Sequence, residues 1–198
     1  MVKIVRCHSR RRAVNEGDTV KLFITASSIL EGQLTLWGQL IDLDDPHHQF
    51  QRIIDNAIQD QSEISEFVND EEDSTFPDDT VCLVRYSCDN RWYRGRVMNQ
   101  CHKDSYRVHF MDFGNVDIVS QRDIKAMPAA VSESNFPALA CRFYIDGISP
   151  KGVVWKAEEL HAIEKVTVYR ELTVQISKVI SDQRFLIHSK TIVSSLQG

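Results

Sequence analysis

The sequence predicts a mostly β chain with two helices. A small antiparallel barrel is inserted into a second β-rich unit assembled from both chain ends, and a long helix joins the two. Three observations carry this expectation. Val81 to Ser87, Trp92 to Met98, Tyr106 to Met111 and Val116 to Val119 are short runs rich in β-branched and aromatic residues. The turn residues Asp89-Asn90, Lys103-Asp104 and Gly114-Asn115 separate them, a spacing that suits an antiparallel barrel rather than a parallel sheet. Phe50, Ile53, Ile54, Ala57, Ile58, Ile64, Phe67 and Val68 lie on one stripe of period 3.6, which predicts a helix from about Pro46 to about Asn69. The strand-like segments near the two termini each lack a core of their own, and sharing one core is the economical solution. The expected division is 1–45 with 130–198, a helix and connection over 46–77, and the inserted barrel over 78–129.

Taken in order, Thr19 to Ala26 and Gln33 to Leu40 read as two strands turning at Glu31-Gly32. Asp45 then Pro46 supplies an N-cap followed by the favoured first-turn proline of the long helix. Ser62 to Asp79 holds eight acids and no base, so the remainder carries −5 − (−8) = +3. This acidic run ends at Phe76-Pro77-Asp78-Asp79, which reads as a connection between units. Beyond the four barrel strands come a strand at Ala140 to Tyr144, a turn at Asp146-Gly147 and a helix from about Val154 to Val166. Two strands follow, Leu172 to Ile180 and Phe185 to Ser189.

The 198 residues are 42% hydrophobic and 26% charged, with a net charge of −5, the composition of a soluble globular chain. No apolar run approaches the roughly 20 residues of a membrane span. The N-terminus reaches Arg10, Arg11 and Arg12 without an apolar stretch, so no secretory signal is expected. Cys7, Cys82, Cys88, Cys101 and Cys141 are scattered and odd in number, which predicts a reducing compartment rather than a disulfide scaffold.

The middle segment carries a recognisable pattern. Tyr86-Ser-Cys-Asp-Asn-Arg-Trp92-Tyr93-Arg94-Gly95-Arg96-Val97 precedes Val108-His-Phe110-Met-Asp112-Phe113-Gly114-Asn115. It resembles a Tudor domain. Pro137 to Cys141 and Gly147 to Pro150, with Trp155 beyond, are similar to the segment C-terminal to the core in extended Tudor domains of germline piRNA-pathway proteins. The resemblance implies an SH3-like Tudor barrel inserted in a staphylococcal-nuclease-like OB-fold, in agreement with the split above. It also implies that the chain is a piece of a longer, multi-module protein.

Aromatic faces attract a poorly hydrated cation. A methylated guanidinium is one, because it keeps its charge while losing donors and gaining methyls. By the resemblance, Tyr86, Tyr93, Phe110 and Phe113 match the aromatic cage for symmetric dimethylarginine, and Asn115 matches the residue that orients the guanidinium. Phe113 replaces the commoner Tyr and loses one hydroxyl. Trp92 alternates with Tyr93 and is expected on the other side of its strand, in the core or at an interface. Arg94 and Asp112 are expected to form a structural ion pair.

Other chemistries have less support. Asp42, Asp44 and Asp45 read as an acidic loop and helix cap rather than a nuclease metal site. Cys82, Cys88, Cys101 and His102 lack zinc-ligand spacing, and His47-His48 lacks a third ligand nearby. Single-stranded RNA binding by Arg10 to Arg12, Arg91, Arg94, Arg96, Lys103 and Arg107 is weighed down by the negative charge and by the lack of aromatic–basic alternation. The expected function is a non-enzymatic reader of Arg-Gly or Arg-Ala peptides, with no cofactor, metal or membrane. By the resemblance its partner is the methylated N-terminal tail of a PIWI protein, in a cytoplasmic perinuclear granule. A reader of unmethylated arginine, or a plain interaction scaffold, is the alternative. Tyr93→Ala or Phe110→Ala is expected to remove binding while unfolding stays cooperative.

Overall fold

A computed structural model of the chain describes residues 14–41, 56 and 75–197. Most of the expected Pro46 to Asn69 helix lies outside them; Asn56 is described and is helical. Arg10 to Arg12, Asp42, Asp44, Asp45, His47-His48 and the acidic residues 63–73 also lie outside. The described residues fall into two compact units. One comprises 56, 75–112 and 116–138; the other comprises 14–41, 113–115 and 139–197.

The first unit is a five-stranded antiparallel sheet of β3 (Val81–Arg85), β4 (Trp92–His102), β5 (Ser105–Phe110), β6 (Val116–Ser120) and β7 (Ile124–Ala126), in the order β6-β5-β4-β3-β7. The first four are the strands expected from sequence. β7 was not expected, being three residues long behind the polar turn Gln121–Asp123. Its position decides the shape of the sheet. Laid flat, outer strands of five would stand about 19 Å apart. The four-residue step from Ser120 to Ile124 spans at most about 14 Å. The sheet therefore rolls toward a barrel, as the strand spacing predicted. Its core includes Leu83, Val84, Val97, Tyr106, Val108, Met111 and Ile124, all buried. Phe76, read from sequence as part of a connection, is also buried. Its ring meets Tyr106 edge-on at 5.1 Å, and its N–H donates to the Tyr106 hydroxyl at 3.2 Å. Gly95 sits where a Cβ would strike Val84 and Val108, which explains a glycine in mid-strand.

The second unit is a closed barrel of strands from both ends: β1 (Thr19–Leu30), β2 (Gln33–Ile41), β8 (Cys141–Ile145), β9 (Glu171–Ser181) and β10 (Arg184–His188), ordered β1-β2-β8-β10-β9. The shared core expected of the termini is therefore present. Leu22, Ile24, Leu36, Phe143, Val174, Ile176, Phe185 and Ile187 fill it, and Phe143 stacks on Phe185 at 5.6 Å. β1 and β2 turn through Glu31 and Gly32, both at positive φ, the geometry of a two-residue type I′ loop.

The helix expected from Val154 instead runs Ala157–Thr167. Glu159 explains the later start. Its carboxylate accepts the N–H of Lys151 at 2.8 Å and of Lys156 at 2.9 Å, which holds the preceding chain in a turn. Those bonds, that from Lys151 first, keep the carboxyl below its ordinary range. A second helix, Lys190–Gln197, follows β10 and places Ile192 in the core. It escaped the sequence reading because Thr191, Ile192 and Val193 are β-branched. The available signal was Ser189, whose hydroxyl accepts the Ile192 N–H at 3.4 Å as a cap.

Candidate functional site

Strand register determines which side chains of the first unit meet. Val84 pairs with Tyr93 and Gly95 with Phe110. Side chains two apart share a face, so Tyr86, Val84, Tyr93, Gly95 and Phe110 lie on one side. Tyr93 and Phe110 form a diagonal pair across a glycine, within reach of two aromatic rings. The ring centroids are 6.2 Å apart for Tyr86 and Tyr93, 5.4 Å for Tyr86 and Phe110, and 6.2 Å for Tyr93 and Phe110. The three interplanar angles are 85°, 75° and 76°. Phe110 is only 2% exposed, whereas Tyr86 and Tyr93 are half-buried. The tyrosines present aromatic surface to solvent, backed by the phenylalanine. Surfaces of this kind, electron-rich and partly dry, attract an organic cation.

The loop from Tyr86 to Arg91 is closed on itself. Tyr86 N–H donates to Arg91 O at 2.9 Å, and Asn90 N–H to Tyr86 O at 2.8 Å. Asn90 takes φ 58°, a conformation that asparagine tolerates better than most residues. Asp89 binds both arms: its Oδ1 accepts the Arg91 N–H at 3.0 Å and its Oδ2 the Tyr93 hydroxyl at 2.5 Å.

Phe113 and Asn115, the other two residues assigned from sequence, group with the second unit. There the Thr25 hydroxyl stands 3.1 Å from Trp37 O and 2.5 Å from Phe113 O. A hydroxyl carries one proton, and the shorter contact assigns it to Phe113. Thr25 sits at a register shift in β1 between Ile24 and Ala26, and such bulges re-aim side chains. Gly114 has φ +83°, and a Cβ there would run into the Trp37 indole. Trp37 is itself held by Arg142, whose guanidinium lies 4.7 Å from the ring centroid, and by an Nε1–H donated to Ser28 Oγ at 3.2 Å. Gly114→Ala is expected to cost about 1–2 kcal/mol from the left-handed backbone alone, and more with the indole in the way. Chemical denaturation of the variant checks this.

Trp92 lies on the opposite face from Tyr93, as expected. It is half-buried, with the Arg85 guanidinium 5.8 Å and the Lys125 ammonium 5.1 Å from its ring centroid. Arg94 and Asp112 form the expected ion pair, 1% and 4% exposed in their side chains. Sequence reasoning missed the other partners of Arg94, the carbonyls of Val131, Phe136 and Pro137. They tie 131–137 to the first unit, whereas the sequence reading put everything after 129 in the other. The cysteines considered for zinc are spread out: Cys82 is buried, Cys88 is exposed in the Tyr86–Arg91 loop, and Cys101 is half-buried near the far end of β4. Burial pushes the Cys82 thiol up to about 12. Among the described residues no group of three or more His, Cys, Asp or Glu is placed to hold a metal.

Residues 51–145 match the Tudor domain family. Over those residues the chain is similar to a Tudor domain. Among curated proteins it is similar to Tudor domain-containing protein 1 of Mus musculus, with 26% identity over 96 residues, 48% of this chain and 8% of the relative. The chain thus matches less than a tenth of that relative's length. Its fold is that of an extended Tudor domain. It superposes on the extended Tudor domain of human TDRD1, solved with a symmetrically dimethylated peptide, with a TM-score of 0.67 and 19% identity, covering 94% of this chain and 86% of that one. The third extended Tudor domain of mouse TDRD1, solved with a MILI peptide containing dimethylarginine, gives a TM-score of 0.66 and 16% identity, covering 89% of this chain and 83% of that one.

Proposed function

We propose that this Tudor domain is a non-enzymatic module that binds symmetrically dimethylated arginine in Arg-Gly or Arg-Ala motifs. The observation that carries the reading is the cluster of Tyr86, Tyr93 and Phe110, three rings at near-right angles with the two tyrosines open to solvent. Phe113 and Asn115 enter as the fourth ring and the guanidinium-orienting amide on the strength of their sequence assignment. The dimethylated peptides bound by solved relatives support the same ligand class. The partner is the N-terminal tail of a PIWI protein, held on a scaffold in a perinuclear germ granule, as the sequence resemblance implies.

A desolvated cation–π contact contributes on the order of 2 kcal/mol. A few of them, less the ordering of a flexible peptide, correspond to about micromolar binding. Isothermal titration with one Arg-Gly-rich peptide, unmodified and symmetrically dimethylated, tests the proposal. The methylated form is expected to bind more tightly. Equal affinities would leave an arginine-peptide groove without methyl recognition, and binding of neither form would overturn the reading.

A further inference from the structure

Asp89 has no part in the cage assignments, yet its carboxylate accepts the hydrogen bond of the Tyr93 phenol. We propose that Asp89 is a specificity-determining residue of this site: it holds the Tyr93 ring in place and supplies a negative charge at the rim that favours a cationic guanidinium over a neutral side chain. The inference rests on the methylarginine reading above.

A tyrosine in a strand can swing about χ1 between staggered positions, and a ring free to swing presents its face to a ligand only part of the time. The hydroxyl is at the end of that lever, so one bond there restrains the position of the whole ring. Its acceptor must itself be rigid to do so. Asp89 meets that condition, because its second carboxylate oxygen accepts the Arg91 N–H at 3.0 Å and the loop around it is closed at Tyr86. The loop that carries Asp89 is also the loop that begins with Tyr86, so one carboxylate ties one wall of the cluster to the base of another. A phenol donating to a carboxylate makes a charge-assisted bond, stronger than a neutral one. The donation also leaves electron density on the phenol oxygen and enriches the ring face toward a cation. Asp89 is exposed, so its charge acts through solvent, and its contribution falls as salt rises.

Three variants separate the roles. Asp89→Asn keeps an acceptor oxygen and removes the charge. Tyr93→Phe keeps the ring and the charge and removes the bond. Asp89→Ala removes both contributions. Titration with the dimethylated peptide is expected to show Asp89→Ala weakened about tenfold and Tyr93→Phe by a few fold. Asp89→Asn should fall between them, with a shallower salt dependence than the parent. Because Asp89 and Tyr93 act through one bond, Asp89→Ala combined with Tyr93→Phe is expected to lose less than the product of the two single effects. A readout without ligand accompanies these titrations. In protein labelled at tyrosine Cζ, Asp89→Ala should shift the Tyr93 resonance, and Asp89→Asn should largely restore it. Parent-like affinity and salt dependence in Asp89→Ala, with the Tyr93 resonance unmoved, would overturn the inference. If the parent binds no dimethylated peptide, the functional reading falls instead, and a shift of the Tyr93 resonance would leave Asp89 only the restraint of a ring.

Discussion

Arg94→Ala is expected to destabilise the first unit by about 3–5 kcal/mol, the cost of leaving a buried charge without its partner. A guanidinium has five N–H donors, and all five are used. Nε donates to Asp112 Oδ2 at 2.8 Å and Nη2 to Oδ1 at 2.5 Å. The remaining three go to the carbonyls of Val131 and Phe136, from Nη1, and of Pro137, from Nη2. Lysine keeps the charge but offers three donors from a single point, so Arg94→Lys is expected to recover only part of the loss. Paired replacement by apolar residues often restores stability at a buried ion pair. Here Arg94→Met with Asp112→Leu is expected to remain destabilised, because three carbonyls still lose their donor. Denaturant unfolding, with hydrogen exchange at β3 to β5 amides to localise the effect, makes the measurement. A loss below about 1 kcal/mol for Arg94→Ala would show that the pair contributes no more than a surface bridge.

Tyr93→Ala is expected to abolish binding of a dimethylated peptide, a loss of at least about thirtyfold if one desolvated cation–π contact is removed. Its unfolding should remain cooperative, since the side chain is half-buried at the open end of the sheet face. Phe110→Ala, which the sequence alone made an equivalent test, is not equivalent. Phe110 is 2% exposed, and truncating a buried phenylalanine costs about 3–5 kcal/mol through the cavity it leaves. A loss of binding in that variant would report the core as much as the site. If Tyr93→Ala instead bound like the parent by titration, the aromatic cluster would not be the recognition surface.

Interactions differ in how plainly they are written into a sequence. Hairpins and strands that announce themselves through turn residues were legible: Glu31-Gly32 reverses β1 into β2, and Lys103-Asp104 reverses β4 into β5. The discontinuous barrel was legible because its end strands visibly lacked partners. Elements stabilised by context were not. β7 exists because three residues can pair with β3 once the sheet has rolled. The terminal helix runs against its own β-branched residues because Ile192 finds a core to enter. Arg94 could be matched with Asp112 from a motif. Its three carbonyl partners belong to backbone nearly forty residues or more away, and backbone acceptors leave no mark on sequence. Asp89 was legible only as part of a turn, since its bond to Tyr93 depends on how the loop closes.

The barrel built from both ends has a consequence for synthesis. β2 ends at Ile41 and its neighbour β8 begins at Cys141. At a translation rate of roughly 5–20 residues per second, the β1–β2 hairpin leaves the ribosome about 5–20 s before its partner strand exists. Throughout that interval the face bearing Leu22, Ile24 and Leu36 has nothing to cover it. The strands β3 to β7 form a contiguous stretch and can fold during the wait. Nascent-chain chaperones are therefore expected to meet this polypeptide at its first hairpin.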